Sequence, residues 1–170
     1  MTWLFHIGSR PWLLIATIFL SLDQFSRAVI IQVLPLGSAV VVTGYFSIIH
    51  ILNPGAAFSF LVGASGWQPW LFILVALVAS AILATLIRQK PPASEVAGYA
   101  LILAGALGNL VDRVLRRAVA DWLDFHWGAA HWPAFNLADV WITPGAASIV
   151  IVFAGVGPGT RKTASRCARA

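Results

Sequence analysis

Residues 69–87 read PWLFILVALVASAILATLI, an uncharged apolar run long enough to cross the hydrocarbon core of a bilayer as a helix. It stops at Arg88, Lys90 and Pro91-Pro92, a basic breaker of the kind that ends a span at the membrane surface. The whole chain has the same character. Of its 170 residues, 59% are apolar and only 10% are charged, against roughly 25% charged in soluble domains. A chain this short cannot hide that much apolar surface from water, so lipid has to cover the remainder. The formal net charge of +5 sits near segment ends rather than in a stripe, which indicates membrane orientation and excludes a nucleic-acid partner. Lone Cys167 excludes an intramolecular disulfide and any cysteine-based zinc site.

Working outward from this run, three more apolar segments of spanning length are found, at about 12–34, 94–113 and 136–156. Arg10 followed by an apolar stretch imitates a cleavable signal. No small-x-small cleavage site follows, so the stretch is expected to be a retained first span. Between 35 and 68 the texture changes to β-branched and aromatic residues (Val40, Val41, Val42, Thr43, Tyr45, Phe46, Ile48, Ile49), punctuated by glycines, which predicts short strands at a membrane surface. Ser94 is the expected N-cap of the third span. In that span Ala100, Ala104 and Gly108 form a small-residue stripe open to another helix. Thr143-Pro144 is expected to kink the fourth. The fold class expected is an α-helical integral membrane protein with four transmembrane helices and a small extracytoplasmic β-rich region between helices 1 and 2. One domain covers 1–170 and ends in a basic cytoplasmic tail at 159–170. Arg10, Arg88, Lys90, Arg161, Lys162, Arg166 and Arg169 fall on one side, which places both termini in the cytoplasm, although Arg116 and Arg117 oppose that bias.

This topology sorts the acids. Glu95 lies on the cytoplasmic side, whereas Asp23, Asp112, Asp121, Asp124 and Asp139 all come to about one depth near the outer interface, joined by Asn53, Asn109 and Asn136. Polar groups cost little at a wet boundary, and that alone accounts for some of them. It accounts poorly for Asp23 and Asp139, which lie inside apolar helices, where a carboxylate costs roughly 2.5–3.5 kcal/mol on insertion scales. Asp23 has Arg27 one helical turn away to pair with. Two carboxylates brought close cannot both ionise easily; they share a proton, and one can act as base toward water while the other acts as acid. That is the chemistry of an aspartic protease. Ser47, Ser59 and His50 have no evident orienting acid, and His126 and His131 lack any H-E-x-x-H-type pattern, so no metal is expected.

Five stretches, in order, resemble the boxes of the lipoprotein signal peptidases (signal peptidase II). They are Asp23-Gln24 with Arg27; Asn53-Pro54-Gly55-Ala56-Ala57-Phe58-Ser59; Gly105-Ala106-Leu107-Gly108-Asn109-Leu110-Val111-Asp112-Arg113; Val119-Ala120-Asp121-Trp122-Leu123-Asp124-Phe125; and Phe135-Asn136-Leu137-Ala138-Asp139. The resemblance implies a membrane aspartyl endopeptidase of the bacterial plasma (inner) membrane. Such an enzyme removes the signal peptide from diacylglyceryl-modified prolipoproteins, cutting just before the lipidated cysteine. It further implies that Asp121 and Asp139 are the catalytic pair. Asn53, Asn109, Arg113 and Asn136 then line the site or hold substrate, Asp23, Arg27, Gly105 and Ala138 support it, and Asp112 and Asp124 are structural, tying polar groups near Arg113 and the loop. The partners implied are lipidated prolipoprotein signal peptides, membrane lipid and peptide-like inhibitors such as globomycin; no cofactor and no metal are implied. Arg27 stands where the family usually has lysine, and the stretch from His126 to Trp132 and the Thr143-Pro144 step are departures from the pattern. Two other readings compete with this one. A transporter or proton channel predicts polar residues at several depths, and a non-catalytic scaffold using the small-residue stripe leaves the paired aspartates unexplained.

Overall fold

The computed structural model describes residues 8–55 and 67–154. The chain runs α1 (Ser9–Val33), β1 (Ala39–Thr43), β2 (Phe46–Asn53), α2 (Gln68–Arg88), α3 (Ala93–Arg116), β3 (Val119–Trp127), β4 (Ala130–His131) and α4 (Leu137–Phe153). Helices α1, α2 and α3 are each long and apolar enough to cross a membrane, and α4 is a shorter apolar helix. Several long apolar helices beside a small antiparallel sheet are consistent with a membrane protein: a helix satisfies its backbone internally and can cross lipid, whereas an open sheet with unpaired edges belongs outside the hydrocarbon. Residues 56–59 of the second box, the expected end of the fourth span at 155–156 and the basic tail with Cys167 lie outside the described residues.

Helix α3 is the centre of the bundle and packs against α4, α2 and α1. Its small residues make this possible. Ala100 and Ala104 are fully buried. A Cβ on Gly105 would collide with the Ala138 carbonyl oxygen, and one on Gly108 with the Asp23 carboxylate. The small-residue face is thus filled by α4 and α1 of the same chain; it is no open berth for a further helix. The expected cap at Ser94 is also corrected. Pro92 is the N-cap residue, without a side-chain hydrogen bond, and α3 begins at Ala93. Proline's fixed φ suits the entry to a helix, so the start shifts toward the Pro91-Pro92 breaker.

Strand formation is more extensive than the β-rich region expected between the first two helices. The antiparallel sheet has the order β1-β2-β3-β4, and half of its strands come from the α3–α4 connection. Within it, β2 pairs with β3 from Phe46 opposite Phe125 to Asn53 opposite Val119. The register slips between Ile48 and Ile51, so three steps on β2 face two on β3 just where Ile51 meets Asp121. Phe135, next to α4, is tied to β3 by backbone bonds from Trp122 N (3.0 Å) and Leu123 N (2.9 Å) to its carbonyl oxygen. The sheet therefore fixes the start of α4 relative to β3.

Candidate active site

Asp121 belongs to β3 and Asp139 to the first turn of α4, and both line one cavity of 470 Å³. Asn53, Asn109, Arg113, Asn136 and Phe72 share that wall. Asn136 is the hinge between the two acids. Its extended backbone makes it the N-cap of α4, and it forms a reciprocal capping box with Asp139. The Asp139 N–H donates to Asn136 Oδ1 and the Asn136 N–H donates to Asp139 Oδ2, both at 3.3 Å. With its other end, Asn136 Nδ2 donates to Asp121 Oδ1 at 2.5 Å. Asn53 Nδ2 donates to Asp121 Oδ2 at 3.0 Å, and Asn109 Nδ2 donates to Asp139 Oδ1 at 3.2 Å. Asp121 thus receives two side-chain amide donors, and Asp139 receives one together with the Asn136 N–H.

Beneath the cavity lies Arg27, only 1% exposed. Its Nη2 donates to Asn109 Oδ1 and to Asn136 Oδ1, both at 2.8 Å. Its Nη1 reaches Asp112 Oδ2 at 2.7 Å and its Nε reaches Asp23 Oδ1 at 3.0 Å. Asp23 also accepts the Ala138 N–H at 2.9 Å, so α1 caps the first turn of α4. Asp112, fully buried, accepts from Arg27, from Arg116 at 2.6 Å and from the Ala120 N–H at 2.8 Å. The polar groups that Asp112 holds are Arg27, Arg116 and the Ala120 N–H of the strand that carries Asp121. The buried charges are mutually compensated, the condition under which charges persist away from water.

Arg113 packs its guanidinium over the Phe72 ring at 5.0 Å and donates from Nη1 to the Asn109 carbonyl at 3.2 Å. Its Nε is buried with no hydrogen-bond partner among the described residues. Burial is the main cause that pushes the Asp121 carboxyl up to about 6; the Asn136 and Asn53 donors pull it back, and the Asp139 charge raises it further.

Four of the five aspartates expected at one level, Asp23, Asp112, Asp121 and Asp139, join this single network through Arg27 and the asparagines. Asp124 does not join it. Its carboxylate faces His131 Nδ1 at 2.9 Å in the β3–β4 hairpin, while His126 Nε2 lies 3.1 Å from Ser47 Oγ and His50 Nδ1 lies 2.8 Å from the Leu34 carbonyl. Phe72, Val119, Pro133 and Ala134 line the cavity without having been expected there. Nothing in the apolar run around Phe72 distinguishes one lining ring from its neighbours.

Residues 15–154 match the family model described as "Signal peptidase (SPase) II". A protein of Aeromonas hydrophila named "Lipoprotein signal peptidase" is 44% identical over 149 residues, covering 86% of this chain and 89% of that one. A protein of the same name from Tolumonas auensis is 43% identical, covering 82% and 87%. A solved structure described as a bacterial membrane enzyme at 1.9 Å resolution superposes with a TM-score of 0.73 at 27% identity, covering 84% of this chain and 92% of the other.

Proposed function

The chain belongs to the signal peptidase II family, and on that premise we propose that it cleaves diacylglyceryl-modified prolipoproteins just before the lipidated cysteine, with Asp121 and Asp139 activating water between them. As an aspartic endopeptidase of this family, it removes lipoprotein signal peptides. The observation that carries the dyad is Asn136, which touches both carboxylates at the wall of one cavity.

A substrate helix in lipid has its amides satisfied internally, so the scissile bond must be unwound in a polar pocket before it can be attacked. The asparagines and Arg113 offer that pocket. The Asp121 carboxyl, raised toward neutrality, holds the proton that is delivered to the substrate, while Asp139 takes one from water. Arg113, which lines the cavity, brings a positive charge to the side where negative charge develops on the substrate carbonyl oxygen. Asn53, Asn109 and Asn136 hold the carboxylates and the unwound peptide, Asp23, Arg27, Gly105 and Ala138 support them, and Asp112 and Asp124 are structural. On this reading α4 is the fourth span, both termini lie in the cytoplasm, and the sheet lies at the outer face of the plasma (inner) membrane. Peptide-like inhibitors such as globomycin are expected to compete with substrate for the same cavity.

The test is direct. Asp121→Asn and Asp139→Asn are each expected to abolish cleavage of a lipidated precursor peptide, a loss of more than about 10³-fold, while the purified proteins stay folded by circular dichroism. Substantial activity in either folded variant overturns the dyad.

A further inference from the structure

A second cavity, of 520 Å³, shares Asp139 with the first and is otherwise lined by Trp132, Phe135, Val140, Thr143 and Pro144. Apart from Asp139 no lining residue carries a charge, and the Thr143 hydroxyl is spent on the Asp139 carbonyl oxygen at 2.8 Å. What this wall offers is hydrocarbon and aromatic surface. The roof is held to the strand that carries Asp121. The Trp132 N–H donates to the Phe125 carbonyl at 2.8 Å, the Phe135 N–H donates to the Leu123 carbonyl at 3.1 Å, and the Phe135 ring stacks on Phe125 at 5.8 Å. The floor is the exposed Thr143–Pro144 face of α4. On the other face Gly145 lies so near α3 that a Cβ would come within 2.9 Å of the Gly98 carbonyl oxygen. The groove thus runs from Asp139 along the side of α4 turned away from the bundle.

We propose that this groove receives the acyl chains of the diacylglyceryl group on the substrate cysteine, with Trp132, Thr143 and Pro144 setting the preference for chain length. The inference rests on the reading given under Proposed function, because it requires a lipidated cysteine within a few bonds of the peptide bond attacked at Asp139. Two walls of opposite chemistry meet at that residue. One carries amides and a guanidinium suited to unwound peptide, and the other carries only apolar surface suited to methylenes. A substrate whose scissile bond joins a polar backbone to a lipidated side chain presents both kinds of surface at that point. A chain that leaves the bilayer for this wall gains no transfer free energy from water, so any length preference rests on its close packing against Trp132, Phe135 and Pro144.

Full-length protein in lipid nanodiscs is to be assayed on two peptides identical except for dipalmitoyl or dibutyryl chains on the cysteine. The readout is the ratio of kcat/KM for the long-chain to the short-chain substrate. Wild type is expected to favour the long chain. Thr143→Phe, which fills the groove, is expected to lower the ratio about tenfold, mainly through KM. Trp132→Ala at a 69% exposed position lowers the ratio as well, and it carries the test alone if Thr143→Phe does not fold. An unchanged ratio in both Thr143→Phe and Trp132→Ala, or equal use of the two substrates by wild type, overturns the proposal and leaves the groove to a bilayer tail or to a signal-peptide side chain. Cleavage surviving in Asp139→Asn defeats the dyad instead, so the two failures are told apart.

Discussion

A guanidinium only donates, so every group around Arg27 must turn an oxygen toward it. Because Asn109 and Asn136 present their Oδ1 atoms to Arg27 Nη2, their NH2 groups must face the other way, toward Asp139 and Asp121. Arg27 therefore fixes the sense of two amides that would otherwise be free to flip, and through them the donors on both acids. The i, i+4 spacing of Asp23 and Arg27 made their pairing legible in the sequence; the links to Asn109 and Asn136 were not, because the partners lie 82 and 109 positions away. Asp121 has a consequence for stability. Its folded-state pKa of about 6 stands above the ordinary 3.8, so between these values the folded state holds a proton that the unfolded state has released. Its contribution is complete below the unfolded value and is lost as pH rises through the folded one. The unfolding free energy of wild type relative to Asp121→Asn, followed through the thermal midpoints, is expected to fall as pH rises from about 4 to about 6 and to level off above, a change on the order of 1–3 kcal/mol. A gap independent of pH removes the raised Asp121 from the account.

Helices α1 to α3 were legible because an apolar run of spanning length has one reading in lipid. Strand β3 was not, since Val119–Trp127 carries Asp121 and Asp124 and looks like a polar connection. Only its pairing with β2, a tertiary event, makes it a strand. The spacing of Ala100, Ala104 and Gly108 announced a packing face on α3 without saying what covers it. Gly105 shows why that matters for the site. The atom facing it is the backbone oxygen of Ala138, which cannot rotate aside as a side chain does, and Asp139 is the next residue. Gly105→Ala is expected to cost about 1–3 kcal/mol through overpacking and, by displacing the first turn of α4, to lower kcat by about tenfold or more. Gly44→Ala, with nothing near its Cβ, serves as the neutral comparison. If Gly105→Ala matches Gly44→Ala in both unfolding midpoint and turnover, α3 does not position Asp139 by contact.

Orientation belongs to the molecule as a whole, and here the sequence set two signals against each other. Arg116 and Arg117 stand at the end of α3 opposite to Arg88 and Lys90, against the bias that keeps basic residues in the cytoplasm. The structure supplies a reason for tolerating them. Arg116 is neutralised by buried Asp112 at 2.6 Å, and Arg117 lies flat on the Trp70 ring at 4.0 Å. Both charges are thus partnered within the fold, which weakens their opposition to the proposed orientation set by Arg88 and Lys90. In the proposed orientation the β3–β4 hairpin, on the same side as the C-terminal end of α3 and the start of α2, faces outward, which brings the Tyr45 and Trp127 rings, packed at 4.9 Å, to the level of the headgroups. On a Cys167→Ser background, Gly128→Cys in that hairpin is expected to react with an impermeant maleimide in intact spheroplasts, and Gln89→Cys only after permeabilisation. The reverse pattern inverts the protein in the bilayer. The cavity would then open to the cytoplasm, where a precursor already carried to the outer face cannot reach it, and the proposed substrate would have to be abandoned along with the orientation.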